Sequence, residues 1–304
     1  MHFVGSVDWS FPSDPMPDGD RWRGLSRSVL VGPAQGAVHT ELAIGSLAPG
    51  GWLARHVHSF EEAFYVLAGE VAMEIDGTAH RLAKGDYCLF PVGIRHAFAN
   101  AADKPLRFLS VNSPQRFPAD ASRRDTFFDP PPLDVAELVG RAVRPPFGDP
   151  TLRLVGHYEG TPPQSEALQL DDAARGRRPA GMDTALTVYS GISVRMLVDR
   201  GFGADLLTVF TVDYEPNGSA QQHDHPFEEA YFFLDGEVEA ELDGTHYTIR
   251  AGDIVFAGVG SEHGFYNTGT GRVRWIETQA PQPPGRHMYR WTAHWTGYEE
   301  RLRG

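Results

Sequence analysis

Apolar and polar positions alternate in short runs along most of the chain, and glycine, proline and aspartate break the runs at close intervals. Ala63-Phe64-Tyr65-Val66-Leu67 is followed by Ala68-Gly69, and Val71-Ala72-Met73-Glu74-Ile75 stops at Asp76-Gly77. Such residues favour extended backbone, and Asp-Gly tolerates positive φ, so these runs predict strands joined by tight hairpins. Tyr231 to Leu234, Val238 to Leu242 and Asp243-Gly244 repeat the arrangement. Three-to-four periodicity is absent from both stretches. The pattern predicts an all-β fold of meandering antiparallel strands, closed as a barrel or double-sheet jelly roll. A short helix is expected only at Leu133 to Arg141.

The repetition is regular. A constant shift of 167 positions carries His56-Val57-His58-Ser59-Phe60-Glu61-Glu62-Ala63 onto His223-Asp224-His225-Pro226-Phe227-Glu228-Glu229-Ala230. It also carries Gly69 to Gly236, Gly85-Asp86 to Gly252-Asp253, His96 to His263, Asn100 to Asn267 and Pro114-Gln115 to Pro281-Gln282. No insertion is needed between Gly24 and Gln115, so two copies of one unit follow, with equal loop lengths. Val4-Gly5 and Val155-Gly156 form a looser pair near the start of each half. The expected division is an N-terminal unit at 1–116, a linker along the surface at 117–150, and a C-terminal unit at 151–304 whose aromatic tail docks on it.

Composition narrows the partners. The net charge of −13 gives no general attraction to nucleic acid or to an anionic membrane, so a small molecule is the expected partner. No apolar stretch approaches bilayer length, and the first residues lack a basic segment followed by an apolar one, so a cytoplasmic location is expected. A single cysteine, Cys88, excludes an internal disulfide and a thiolate metal cluster.

His56, His58 and Glu62 are all even-numbered. If one strand runs through them, alternation puts all three side chains on one face, and a neighbouring strand brings His96 after Pro91-Val92-Gly93. His223, His225, Glu229 and His263 repeat the set. Imidazole and carboxylate donors without thiolates suit a divalent transition metal such as Fe, Mn, Ni, Cu or Zn, one per unit, over calcium or magnesium. One carboxylate leaves a formal charge of about +1, and octahedral coordination leaves about two positions for an anionic substrate, water or dioxygen. Phe60 and Phe98, with Phe227 and Phe265, line up between units, whereas Phe90 meets Ala257 and Met73 meets Ala240, so the two interiors differ in shape. Arg95 and Glu262 adjoin the fourth histidine, and Glu61 and Glu228 adjoin the glutamate; alternation points all four away from the ligand face.

The stretch Gly50 … His56-x-His58-x-x-x-Glu62 … Gly69 resembles the first cupin motif, and Gly85 … Pro91-x-Gly93-x-x-His96-x-x-x-Asn100 resembles the second. The C-terminal unit repeats both, with Gly258 where the pattern has proline. The resemblance implies a bicupin: two tandem double-stranded β-helix barrels, each holding a metal through three histidines and one glutamate. It implies a metal-dependent enzyme, foremost a dioxygenase cleaving a small aromatic or enolic anionic substrate. Non-oxidative activities (ureidoglycine aminohydrolase-like, decarboxylase or isomerase) and a non-catalytic small-molecule binding protein remain open alternatives. Bicupins also associate through barrel edges, which makes a homodimer an expectation.

Overall fold

A computed structural model describes residues 1–7, 18–116, 124–130, 132–147, 149, 151–158, 189–283 and 290–291. The chain folds into two curled antiparallel sheets. Its strands are β1 (His2–Ser6), β2 (Trp22–Val31), β3 (Glu41–His58), β4 (Glu61–Ala68), β5 (Glu70–Ile75), β6 (Thr78–Ala83), β7 (Asp86–Phe90), β8 (His96–Ala99), β9 (Leu106–Ser113), β10 (Thr126–Phe128) and β11 (Val155–His157). The second unit follows with β12 (Tyr189–Val198), β13 (Thr208–Asp224), β14 (Glu228–Asp235), β15 (Glu237–Leu242), β16 (Thr245–Arg250), β17 (Asp253–Ala257), β18 (His263–Tyr266), β19 (Val273–Ala280) and β20 (Arg290–Trp291). The first sheet runs β11-β7-β4-β9-β3-β8-β5-β6 and the second β1-β17-β14-β19-β13-β18-β15-β16. The Asp-Gly hairpins form where the sequence predicts them, with Asp76 and Gly77 at φ 47° and 80° and Asp243 and Gly244 at 46° and 76°.

Strand alternation sends the apolar residues to separate clusters. Phe64, Val66, Met73, Phe90, Phe98 and Phe108 fill the first interior, and Tyr231, Phe233, Ala240, Ala257, Phe265 and Trp275 occupy the second. The opposite faces of the same strands meet between the units: Leu42, Ile44, Ala63 and Leu109 pack with Val209, Ala230, Phe232 and Ile276. The central strands are therefore buried on both sides, which explains their nearly continuous apolar character.

Two pairings depart from the expected division at 116 and 151. Strand β1 joins β17 of the second sheet, with Val4 opposite Val255, and β11 joins β7 of the first, with Val155 opposite Cys88. Each unit's leading strand completes the other unit's sheet. Sequence similarity shows that Val4-Gly5 and Val155-Gly156 are equivalent strands, but both edges offer the same unpaired backbone groups, and only the path of the chain decides which edge is filled.

The 117–150 segment is also more than a surface connection. Strand β10 pairs with the end of β3, placing Phe128 opposite His56. An α-helix, α1 (Val135–Arg141), follows, capped by Asp134, which accepts a hydrogen bond from Glu137 N at 2.9 Å. It lays Leu138 against Ala72, Ala79 and Ala99 on the outside of the first sheet. In the tail, β20 pairs with β13 at His223. The rest of the expected docking tail lies outside the described residues.

Phe232 is fully buried where the units meet. Phe232→Ala should cost about 3–5 kcal/mol. Because its neighbours come from both units, calorimetry should show a single transition at lower temperature, with the two units unfolding together.

Candidate metal centres

The chain turns between His58 and Glu62, so the expected single strand through His56, His58 and Glu62 is two strands. Strand β3 ends at His58, β4 begins at Glu61, and β9 lies between them in the sheet. The curl of the sheet still brings the side chains together: His58 Nε2 lies 3.2 Å from Glu62 Oε2. His96 enters from β8, directly opposite His56. In the second unit His223 faces His263 across β13 and β18, and Glu229 Oε2 lies 2.9 Å from His225 Nε2 and 3.2 Å from His263 Nε2. The expected donors thus converge in two sets, each drawn from three strands rather than two.

Within each histidine triad, one ligand atom per ring can be chosen so that all lie within 4.8 Å of one another. The two triads match closely. Ring centroids are 4.1, 4.8 and 6.0 Å apart in the first unit and 4.3, 4.9 and 6.0 Å in the second.

Every one of the six rings is held the same way. The Nδ1 atoms of His56, His58 and His96 donate to the carbonyls of Ala54, Phe60 and Ile94 at 2.8, 2.6 and 3.1 Å. Those of His223, His225 and His263 donate to Gln221, Phe227 and Ser261 at 2.7, 2.8 and 2.9 Å. A carbonyl can only accept, so the proton of each neutral ring sits on Nδ1 and the Nε2 lone pair points at the other donors. Lone pairs facing a carboxylate in a buried site repel unless a cation lies between them. His96 Nε2 is buried with no hydrogen-bond partner. These are the features of a site shaped for a divalent ion.

Burial opposes protonation of three of these rings. It lowers His56 to about 4, opposed by its bond to Ala54, and pushes His96 and His223 well below the ordinary histidine value. Burial alone would raise Glu62 and Glu229. Positive charge on the side of the facing histidines, where a bound cation would also sit, outweighs it and holds both carboxyls well below their usual range. The turn between β7 and β8, and its equivalent between β17 and β18, survives replacement of Pro91 by Gly258: Gly93 N donates to His58 O at 2.9 Å, and Gly260 N donates to His225 O at 3.0 Å.

Around these cores the units diverge. Phe60 and Phe227 stack alike on His58 and His225, both at 3.9 Å, whereas the stacking of Phe90 on His96 and Phe128 on His56 at 4.0 and 5.2 Å belongs to the first unit. Ser110 Oγ donates to Glu62 Oε1 at 2.5 Å, Asn112 Nδ2 to Glu41 Oε1 at 3.0 Å, and an Arg27 guanidinium nitrogen to the same Glu41 oxygen at 2.5 Å. The Arg116 guanidinium lies over the Phe60 ring at 5.6 Å; burial, reinforced by the like charge of Arg27, lowers its pKa. In the second unit, Tyr231 donates its hydroxyl to Glu229 Oε2, and Gln279 Nε2 donates to Glu229 Oε1 at 2.7 Å. Glu277 stands where Ser110 does; burial and the charge of Glu229 push its carboxyl well above the ordinary value. A cavity of about 30 Å³ lies among His223, Glu229, Tyr231, Trp275 and Glu277. That is room for about one water, far below the ~300 Å³ of an ordinary small-molecule pocket.

Arg95 is more than half exposed and pairs with Asp129 on the surface, consistent with its outward alternation. Glu61 and Glu228 are instead buried between the units. Arg27, Arg116, Ser110, Tyr231 and Glu277 were not singled out by sequence. The mismatch of Ser110 with Glu277 under the repeat was a readable signal for the last, whereas Arg27 and Arg116 come from outside the motifs.

The cupin domain family matches the chain twice, at residues 43–112 and 210–278. Protein SchB of Streptomyces halstedii is 30% identical over 114 residues, 37% of this chain and 83% of that protein. A salicylate 1,2-dioxygenase variant from Pseudoaminobacter salicylatoxidans, solved with gentisate, superposes with a TM-score of 0.64 at 16% identity, covering 92% of this chain and 82% of the other. Oxalate decarboxylase from Lactobacillus farciminis, in its formate complex, superposes with a TM-score of 0.57 at 16% identity, covering 94% and 92%. The chain belongs to the cupin family and is a two-domain member, a bicupin. Among the described residues no helix is long and apolar enough to cross a membrane.

Replacing His58 or His225 by alanine should remove the metal of its own unit, while the other, with its donors intact, still fills at saturating metal. Elemental analysis of the purified variants should show about half the metal of the unaltered chain; full metal content in either would exclude that histidine as a ligand.

Proposed function

We propose that this bicupin is a metal-dependent dioxygenase acting on a small aromatic or enolic anion, with its substrate site in the first barrel. In this reading His56, His58, Glu62 and His96 hold one divalent transition ion, and His223, His225, Glu229 and His263 hold another. The observation that carries the choice of barrel is the Arg116 guanidinium beside the first triad, together with Phe90 and Phe128 stacked on two of its rings. When bound, a redox-active ion there would supply a joint site for an anionic oxygen of the substrate and for dioxygen.

The chain's own residues do the remaining work. The six Nδ1–H bonds orient Nε2 and prevent the rings from rotating away. Ser110 holds Glu62 so that one carboxylate oxygen faces His58. Phe60, Phe90 and Phe128 keep the surroundings apolar, which strengthens each electrostatic contact and excludes water. Arg116 supplies a partly buried positive charge for a substrate carboxylate or phenolate; Arg27 is partly committed to Glu41. The small cavity of the second unit suits no aromatic substrate, so that unit's ion serves the fold or acts on a much smaller ligand.

One feature favours a non-oxidative second reading. Glu277 places a carboxyl beside Glu229 at a cavity the size of a water, an arrangement suited to moving a proton on a small carboxylate. Oxalate decarboxylase and salicylate dioxygenase, each at 16% identity, share the fold of this chain and do not choose between the two readings.

An oxygen-electrode screen of the metal-loaded protein with aromatic acids, flavonols and diketones separates the two. Substrate-dependent oxygen uptake is expected; product formation that continues under argon overturns the oxygenase and leaves the proton-transfer reading. With a substrate found, Arg116→Ala should raise KM about 10- to 100-fold for the anion while altering kcat much less, the loss expected for a charge-assisted contact.

A further inference from the structure

Glu61 and Glu228 are buried to 2% exposure, and each immediately precedes a carboxylate of the candidate metal centres. On a strand, adjacent side chains point to opposite faces, so Glu62 turns into its own barrel while Glu61 turns toward the other unit. Glu228 accepts hydrogen bonds from the backbone N–H groups of Val38, His39 and Thr40 at 2.7, 2.9 and 3.0 Å. Glu61 accepts from Asp205 and Leu206 of the second unit, the latter at 2.7 Å. Under the repeat these two segments are equivalent, so the clamps are reciprocal. The repeated Pro-Gln dipeptide braces the same segments from within each unit. Gln115 Nε2 donates to Thr40 O at 3.0 Å, and Gln282 Nε2 donates to Ala204 O and Leu207 O at 3.1 and 2.8 Å.

Each clamped segment leads back to a ligand. After Thr40 comes Glu41, which accepts from Asn112; Asn112 Oδ1 lies 3.3 Å from Ser110 Oγ, whose hydroxyl donates to Glu62. After Leu206 and Leu207 comes Thr208, whose hydroxyl donates to Gln279 Oε1 at 3.2 Å, and Gln279 donates to Glu229. The path therefore closes. From Glu62 it runs to Glu61, across to 205–206, through Thr208 and Gln279 to Glu229, on to Glu228, across to 38–40, and through Glu41, Asn112 and Ser110 back to Glu62. Most of its members are buried and close-packed, so seating one carboxylate displaces the next group rather than solvent.

We propose that this closed circuit couples the two centres, so that a divalent ion bound in one barrel raises the affinity of the other. Glu61 and Glu228 are positioning residues: they touch neither ion nor substrate and act through the loop that each one holds. The proposal rests on the metal reading above and adds to it an energetic link that neither barrel has alone. Linkage requires the effect to be reciprocal, the same factor in both directions.

The test uses Mn(II) alone, titrated into the full chain and followed through the paramagnetic resonance of the free ion. His58→Ala should weaken Mn(II) at the second centre at least about fivefold, and His225→Ala should weaken the first by the same factor. In a Glu61→Gln/Glu228→Gln background, adding His58→Ala should change the second centre less than about twofold. A purely structural role for the clamps would lower the melting temperature and leave the dependence between centres intact. Should the double variant fail to fold, Thr208→Val cuts one arm of the circuit at a single hydroxyl and should weaken the dependence. An affinity unmoved by His58→Ala, or a dependence undiminished in the clamp or Thr208 variants, overturns the coupling and leaves the metal centres standing. Failure of the unaltered chain to retain Mn(II) or any other divalent transition ion overturns both.

Discussion

Six short hydrogen bonds from histidine Nδ1 to backbone carbonyls two residues away set the chemistry of this molecule. Each bond fixes a tautomer, and each tautomer sends a lone pair toward the same point in its barrel. The carbonyls belong to the ends of β3 and β13, to the Phe60 and Phe227 turns, and to the turns before β8 and β18. Centres of this kind therefore depend on strand ends and turns keeping their geometry. The same Gly93 and Gly260 turns form with proline or glycine two positions earlier, because the bonds to His58 O and His225 O impose the shape.

Duplication gave two copies of that arrangement, and side chains in contact with it have since taken the copies apart. Ser110 against Glu277, Phe64 against Tyr231 and Phe90 against Ala257 change the charge, the hydrogen bonding and the room around equivalent ligands. The first barrel has Arg116 beside Phe60, and Phe90 and Phe128 stacked on two of its candidate ligands. The second surrounds its glutamate with a hydroxyl, an amide and a further carboxyl. Two units with one framework can thus hold similar ions and offer them to different ligands.

The units are nonetheless one folding body. The exchange of β1 and β11, the shared apolar cluster and the reciprocal glutamate clamps all lie on the faces that the barrels turn toward each other. Separating the halves at the sequence midpoint would leave each sheet without its edge strand and expose the apolar cluster that the two units share.

The repeat, the Asp-Gly hairpins and the eight metal-ligand candidates were legible in the chain because each depends on local spacing: alternation, a two-residue turn, a fixed interval between donors. What could not be read was whatever depends on which surface meets which. The break at Ser59-Phe60 was hidden because a curled sheet lets residues on two strands converge as though they shared one. The partner of Val4, the approach of Arg116 to Phe60 and the burial of Glu61 were decided by chain path and by packing between the units. Similar edges, arginines and outward glutamates would look the same in a sequence whose barrels never touched.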